Sequence, residues 1–160
     1  MVNELEDMLK TSVGEVFRKM MKNEPVAIPL TGEAMSAETH IASAVGFIGD
    51  VTGVVYIYAS ATFAGKLTSV MLEMELGEID GDEMVNDAMG ELANMIVGNV
   101  KAQIVEKGKS CVLTIPSIVR GSNISIEAVS SATRRVLCFR CVDNQNLVVE
   151  IMVKPPEDKE

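Results

Sequence analysis

A chain of 160 residues with 48% hydrophobic side chains carries enough apolar material for one sizeable core without disulfide staples. Its net charge of -9, from 23 acidic and 14 basic residues, repels a phosphate backbone and argues against nucleic acid as a partner. MVNELEDMLK lacks the pattern of a secretion signal and no apolar run reaches the roughly 18 residues of a membrane span, so a soluble, cytoplasmic protein with no membrane partner is expected.

In chain order, residues 3–22 place Leu5, Leu9, Val13, Val16, Phe17 and Met20 on one face, with Glu4, Thr11, Glu15, Arg18 and Lys22 opposite. The spacing predicts an amphipathic helix ending near Pro25. Short β-branched and aromatic runs at 25–30, 39–49 and 53–60 predict strands, the last two joined as a hairpin at GDVTG. A second helix is expected over 61–76, through Phe63, Leu67, Val70, Met71 and Met74, with Ser60 or Thr62 as its cap. After the acidic turn GEIDGDE, the longest helical pattern runs from about 82 to 107 and closes at Gly108. Four more strands are read at 110–116, 123–130, 134–142 and 147–153.

Grouped strands and grouped helices, without strict βαβ alternation, predict an α+β fold: a largely antiparallel sheet with long helices on one face. Residues 1–154 read as a single domain and 155–160 as a solvated C-terminal tail. A degenerate internal duplication is also legible. TSVGEVFRKM (11–20) aligns with DAMGELANMI (87–96), and each helix is followed by an Ile-Pro, at Ile28-Pro29 and Ile115-Pro116.

Three cysteines are an odd count for a secreted disulfide framework. Cys138 and Cys141 form a CxxC inside an apparent strand, where residues three apart point to opposite faces. With His40 the lone histidine, a zinc site lacks ligands, and no metal site is expected. His40 also has no nucleophile motif such as GxSxG near it. Asp80, Asp82 and Glu83 are explained by helix capping and the helix dipole.

On the long helix, Val85, Met89, Leu92, Ile96 and Val100 form one apolar stripe. Asp87, Glu91, Asn94 and Gly98 lie almost opposite, so Glu91 and Asn94 sit about one turn apart and project together. A polar face is ordinary on any amphipathic helix. Less ordinary are Asn94 in a helix interior, and Gly90 and Gly98 flanking the pair at about 1 kcal/mol each against Ala. Glycines there offer room for a partner's backbone.

Asp87-x3-Glu91-x2-Asn94 resembles the (Asp/Ser)-x3-Glu-x2-Asn signature of the CheC/CheX/FliY chemotaxis phosphatases, with the one-site, single-domain CheX form the best fit. The resemblance extends to element order over nearly the whole chain. It implies an enzyme that dephosphorylates the aspartyl-phosphate of a CheY-type response regulator. Asn94 would orient the attacking water, Glu91 would pair with the regulator's active-site Lys, and Asp87, Gly90 and Gly98 would contact the partner. No cofactor of its own is implied; Mg²⁺ is expected in the regulator. On the first helix the matching positions are Thr11, Glu15 and Arg18, so the amide is lost and one functional site per chain is expected.

The alternative is a non-catalytic domain of the same fold that docks a regulator or itself. A homodimer is expected, on the premise that the apolar strands at 134–142 and 147–153 would be hazardous as an exposed edge.

Overall fold

The computed structural model describes residues 1–30, 38–124 and 131–155. Among the described residues, three α-helices, α1 (Val2–Met21), α2 (Ala61–Leu72) and α3 (Gly81–Glu106), accompany seven strands. The strands are β1 (Val26–Ile28), β2 (His40–Gly49), β3 (Gly53–Ser60), β4 (Cys111–Leu113), β5 (Ser117–Gly121), β6 (Thr133–Arg140) and β7 (Asn146–Val153). Every strand pairing is antiparallel, so the expected α+β architecture is the observed one. The strand predicted at 123–130 and the tail at 155–160 fall largely outside the described residues.

The sheet order is β1-β6-β7-β3-β2-β4, with β5 also on β2. Exchanging α1-β1-β2-β3 for α3-β4/β5-β6-β7 and reading from the other edge returns the same order. The duplication read from the two Gly-Glu helices is therefore visible in the topology, with the β3–β7 pair at its centre. The same order bears on the edge expected for self-association: β7 is interior, whereas β1 covers β6 only at 138–140, so 133–137 has no partner strand on that side among the described residues.

All three helices share one core with alternate residues of the sheet, among them Val45, Ile57 and Val149. The stripe Val85, Met89, Leu92, Ile96 and Val100 of α3 is buried as its period requires. Each such side chain contributes about 1.5–3 kcal/mol of burial, which fixes which side of α3 is left to solvent. On the opposite sheet face a smaller cluster runs across adjacent strands through Ala42, Tyr58, Val148 and Cys138. Cys141 belongs to the helix-side core, so the two CxxC thiols do lie on opposite faces.

Local chemistry sets the element ends. Ser60 caps α2 by accepting from the Phe63 amide at 3.1 Å. That helix stops at Leu72, earlier than its apolar spacing predicts, because Glu73 turns left-handed (φ 52°), and Val70 is left exposed. Gly108, at φ +80°, follows the end of α3. The single strand expected at 110–116 is in fact broken. Phe47 pairs with Leu113 and Ala44 with Ser117, which sets three residues against two and makes a bulge at 114–116. Pro116 has no amide to continue the ladder. Thr114 bridges the gap, its amide donating to the Gly46 carbonyl at 2.9 Å and its Oγ1 accepting from the Gly46 amide at 2.8 Å.

Candidate functional site

Helix α3 is held from two sides, by its apolar stripe over the sheet and by the seam with α1. In that seam Asn99 Nδ2 donates to Glu15 Oε2 at 2.6 Å, while Gln103 Nε2 donates to Ser12 Oγ at 2.9 Å and to the Met8 carbonyl at 3.1 Å. A third tie runs to the sheet edge, where Arg120 of β5 bonds Asn86 and Asp82. With those sides occupied, what remains open is the stripe bearing Asp87, Glu91 and Asn94.

Asp87 and Glu91 are exposed and Asn94 is partly buried. Among the described residues, none of the three is tied down by a hydrogen bond or ion pair within the chain. The helix thus presents a carboxylate and a carboxamide about one turn apart, on a rigid support, with their bonding capacity free. Gly98 is open: a Cβ built there meets nothing within 4 Å. Gly90 faces its own chain, since a Cβ there would stand 3.4 Å from Pro116 Cβ, in ordinary contact with the β4–β5 bulge.

The chain segment bearing this surface is acidic, with Arg120 of β5 paired to its Asp82. Between Lys66 and Lys101 there is no basic residue, while eight acidic ones stand from Glu73 to Glu91. All eight are exposed. Such a surface attracts a cationic partner over about a Debye length.

The corresponding positions on α1 are differently employed. Glu15 is engaged by Asn99, and Arg18, half-exposed, pairs with Glu24 at 2.9 Å. The guanidinium folds back over Gly14, where Nη1 would stand 2.9 Å from a built Cβ.

The other candidates are structural. His40 is buried and donates from Nδ1 to the Glu38 carbonyl at 2.9 Å. Cys111, Cys138 and Cys141 are buried free thiols, and burial pushes all three up, Cys141 to about 12. None is a thiolate nucleophile at neutral pH. Among the described residues, no group of three or more His, Cys, Asp or Glu is arranged to hold a metal ion, and no helix is long and apolar enough to cross a membrane.

Sequence reading did not find Arg120. It stands 34 residues from Asn86, and its segment was not read as a strand because the break at Pro116 hid it. The β-branched pair Ile118-Val119 after a proline was the available signal.

Known proteins resemble this chain in sequence and in fold. The family described as "Chemotaxis phosphatase CheX" matches residues 41–140. The CheY-P phosphatase CheX of Thermotoga maritima is 28% identical over 119 residues, covering 73% of this chain and 76% of that protein. Among solved structures, the chemotaxis protein CheX of Vibrio vulnificus superposes with a TM-score of 0.79 at 20% identity, covering 94% of this chain and 97% of that one. The CheX-CheY-BeF3-Mg²⁺ complex from Borrelia burgdorferi gives 0.75 at 22% identity, with 93% and 97% covered. At those identities the structural likeness is one of fold.

Proposed function

The chain belongs to the chemotaxis phosphatase CheX family, and from that premise we propose that it hydrolyses the aspartyl-phosphate of a CheY-type response regulator. The observation that carries the reading is the free Glu91–Asn94 pair on the one side of α3 left open by packing.

The chemistry asks little of the enzyme beyond alignment. An acyl phosphate is already activated, and phosphoryl transfer passes through a loose transition state in which positioning dominates. Water attacks phosphorus in line, the bond between phosphorus and the aspartyl oxygen breaks, and the products are inorganic phosphate and a free carboxylate. Asn94 suits the placement of that water: its Oδ1 accepts from the water and its Nδ2 can donate, with no proton to gain or lose over the working pH range. The amide orients without acting as a base.

Glu91 supplies the docking charge, pairing with the regulator's active-site Lys. Asp87 adds to that charge one turn earlier, and Gly98 leaves space for the partner's backbone. Gly90, packed against Pro116, would meet the partner only at its rim. Mg²⁺ belongs to the regulator's own site. The buried, protonated thiols support hydrolysis without a covalent enzyme intermediate.

A homodimer is part of the same reading, on a different edge from the one the sequence pointed to. The β4–β5 edge, unpaired among the described residues, carries Val112, Ile115 and Val119, exposed by 70%, 87% and 51%. An edge of that kind invites a second copy.

The test is phosphate release from a phosphorylated receiver domain in Mg²⁺, with and without this protein. Acceleration by the wild type supports the reading; an unchanged autodephosphorylation rate sinks it.

A further inference from the structure

Arg120 ties the site-bearing half of α3 to the sheet edge. Its Nε and Nη2 donate to Asn86 Oδ1 at 2.9 and 2.7 Å, and Nη2 donates also to the Asp82 carbonyl at 3.1 Å. Nη1 stands 3.4 Å from the Asp82 carboxylate, and the Arg120 side chain is only 25% exposed. The backbone beneath it is itself fixed, because Arg120 pairs with Ile41 in the ladder to β2.

At this end of α3 the tie is directional where the packing beside it is not, and the α1 seam supplies the directional contacts at the other end through Asn99 and Gln103. The apolar stripe of α3 resists lifting the helix off the sheet but tolerates small rotations and slides, since dispersion contacts have shallow angular dependence. The Gly90–Pro116 contact is likewise only van der Waals. A planar guanidinium that grips one amide oxygen with two donors fixes an angle as well as a distance. Asn86 lies on the same continuous helix as Glu91 and Asn94, roughly 8 to 12 Å before them along its axis. A rotation of the helix at Asn86 therefore moves both side chains.

Resting on the phosphatase reading above, we infer that Arg120 is a positioning residue for the Glu91–Asn94 pair. It acts through α3 rather than on the reacting atoms. Alignment of an attacking water is the kind of effect for which a displacement of about 1 Å costs up to about 100-fold in rate.

The experiment compares Arg120→Met, Asn86→Leu and Asn86→Asp with the wild type, using a phosphorylated receiver domain and Mg²⁺. Met keeps the bulk of the stem without the donors, Leu removes the acceptor while keeping helix propensity, and Asp retains an acceptor. The expected result is a fall in kcat of about tenfold or more for Arg120→Met and Asn86→Leu, KM changing by less than about threefold, and Asn86→Asp within about twofold of wild type. Asn86→Leu decides the matter if Arg120→Met does not fold. Folded variants with wild-type kcat at 20 °C and only a lowered Tm overturn the inference. An inert wild type is a failure of the phosphatase reading instead. The inference is then decided by the Asn94 side-chain amide resonance in ¹⁵N-labelled protein: a shift in Arg120→Met and Asn86→Leu but not in Asn86→Asp upholds it, and unmoved resonances overturn it.

Discussion

Asn99 on α3 donates its side-chain amide to Glu15 on α1 at 2.6 Å, so the carboxylate that corresponds to Glu91 in the duplicated helix is engaged inside the chain. The two Gly-Glu helices have thus diverged in use as well as in sequence. One presents its carboxylate to solvent, and the other builds the seam that holds the first in place. Glu15→Ala is expected to lower stability by about 1 kcal/mol and to slow the phosphatase less than Arg120→Met does, because Gln103 still ties α3 to Ser12 and Met8 of α1. Urea unfolding beside the activity assay separates the two effects. Lost activity with unchanged stability would mean that α1 carries a working site.

Glu91→Gln removes the charge and keeps the shape. On the docking role proposed for Glu91, KM for the phosphorylated regulator is expected to rise several-fold, with a smaller change in kcat. The acidic surface from Glu73 to Glu91 makes a related prediction. Raising salt from about 0.1 to 1 M shortens the Debye length from roughly 10 to 3 Å and should lower kcat/KM several-fold. A salt-independent kcat/KM would remove electrostatic steering from the account.

Gly98 and Gly90 separate helix propensity from docking. With nothing within 4 Å of a Cβ, Gly98→Ala is expected to stabilise the protein by about 0.5–1 kcal/mol. If the partner's backbone comes close there, the same change raises KM. Gly90→Ala brings its methyl into ordinary contact with Pro116 and should leave KM unaltered. Paired unfolding and kinetic measurements on the two variants test both statements.

Much of this was legible in the sequence, for physical reasons that also mark where legibility ended. The α3 stripe and the opposite polar face follow from the helical period, and the β2–β3 hairpin from its turn. The two faces of the CxxC follow from the strand period. These are local rules. Strand order is not local, and it makes β7 interior and leaves the β4–β5 edge without a partner strand among the described residues. The bulge at 114–116 was missed because a hydrophobic run ending in Ile-Pro reads as the end of a strand, while Thr114 allows pairing with β2 to resume at Ser117. With β5 unread, Arg120 and its grip on Asn86 were out of reach.

Burial makes the Cys141 thiol a stability probe. Its pKa is raised from 9.0 to about 12, so below pH 9 it is protonated in both folded and unfolded chains and its contribution to stability is fully present. Above pH 9 the unfolded thiol ionises first, and that contribution is lost progressively towards pH 12. The stability difference between wild type and Cys141→Ala should therefore shrink as urea unfolding is moved from pH 8 to pH 11. A difference that stays constant across that range would place Cys141 in a far wetter environment than its burial indicates. Activity of the folded variant near pH 7.5 is expected to match wild type, since the proposed hydrolysis assigns no step to a thiol.

The central claim is that Asn94 orients the attacking water, and the most direct test is Asn94→Ala measured two ways. One arm follows phosphate release from the phosphorylated regulator, and the other the affinity for the same regulator loaded with BeF3 and Mg²⁺. If Asn94 orients the water, the accelerated rate falls by about 100-fold or more while the affinity stays within about threefold of wild type. An Asn94→Ala protein that still releases phosphate at the wild-type rate would contradict it.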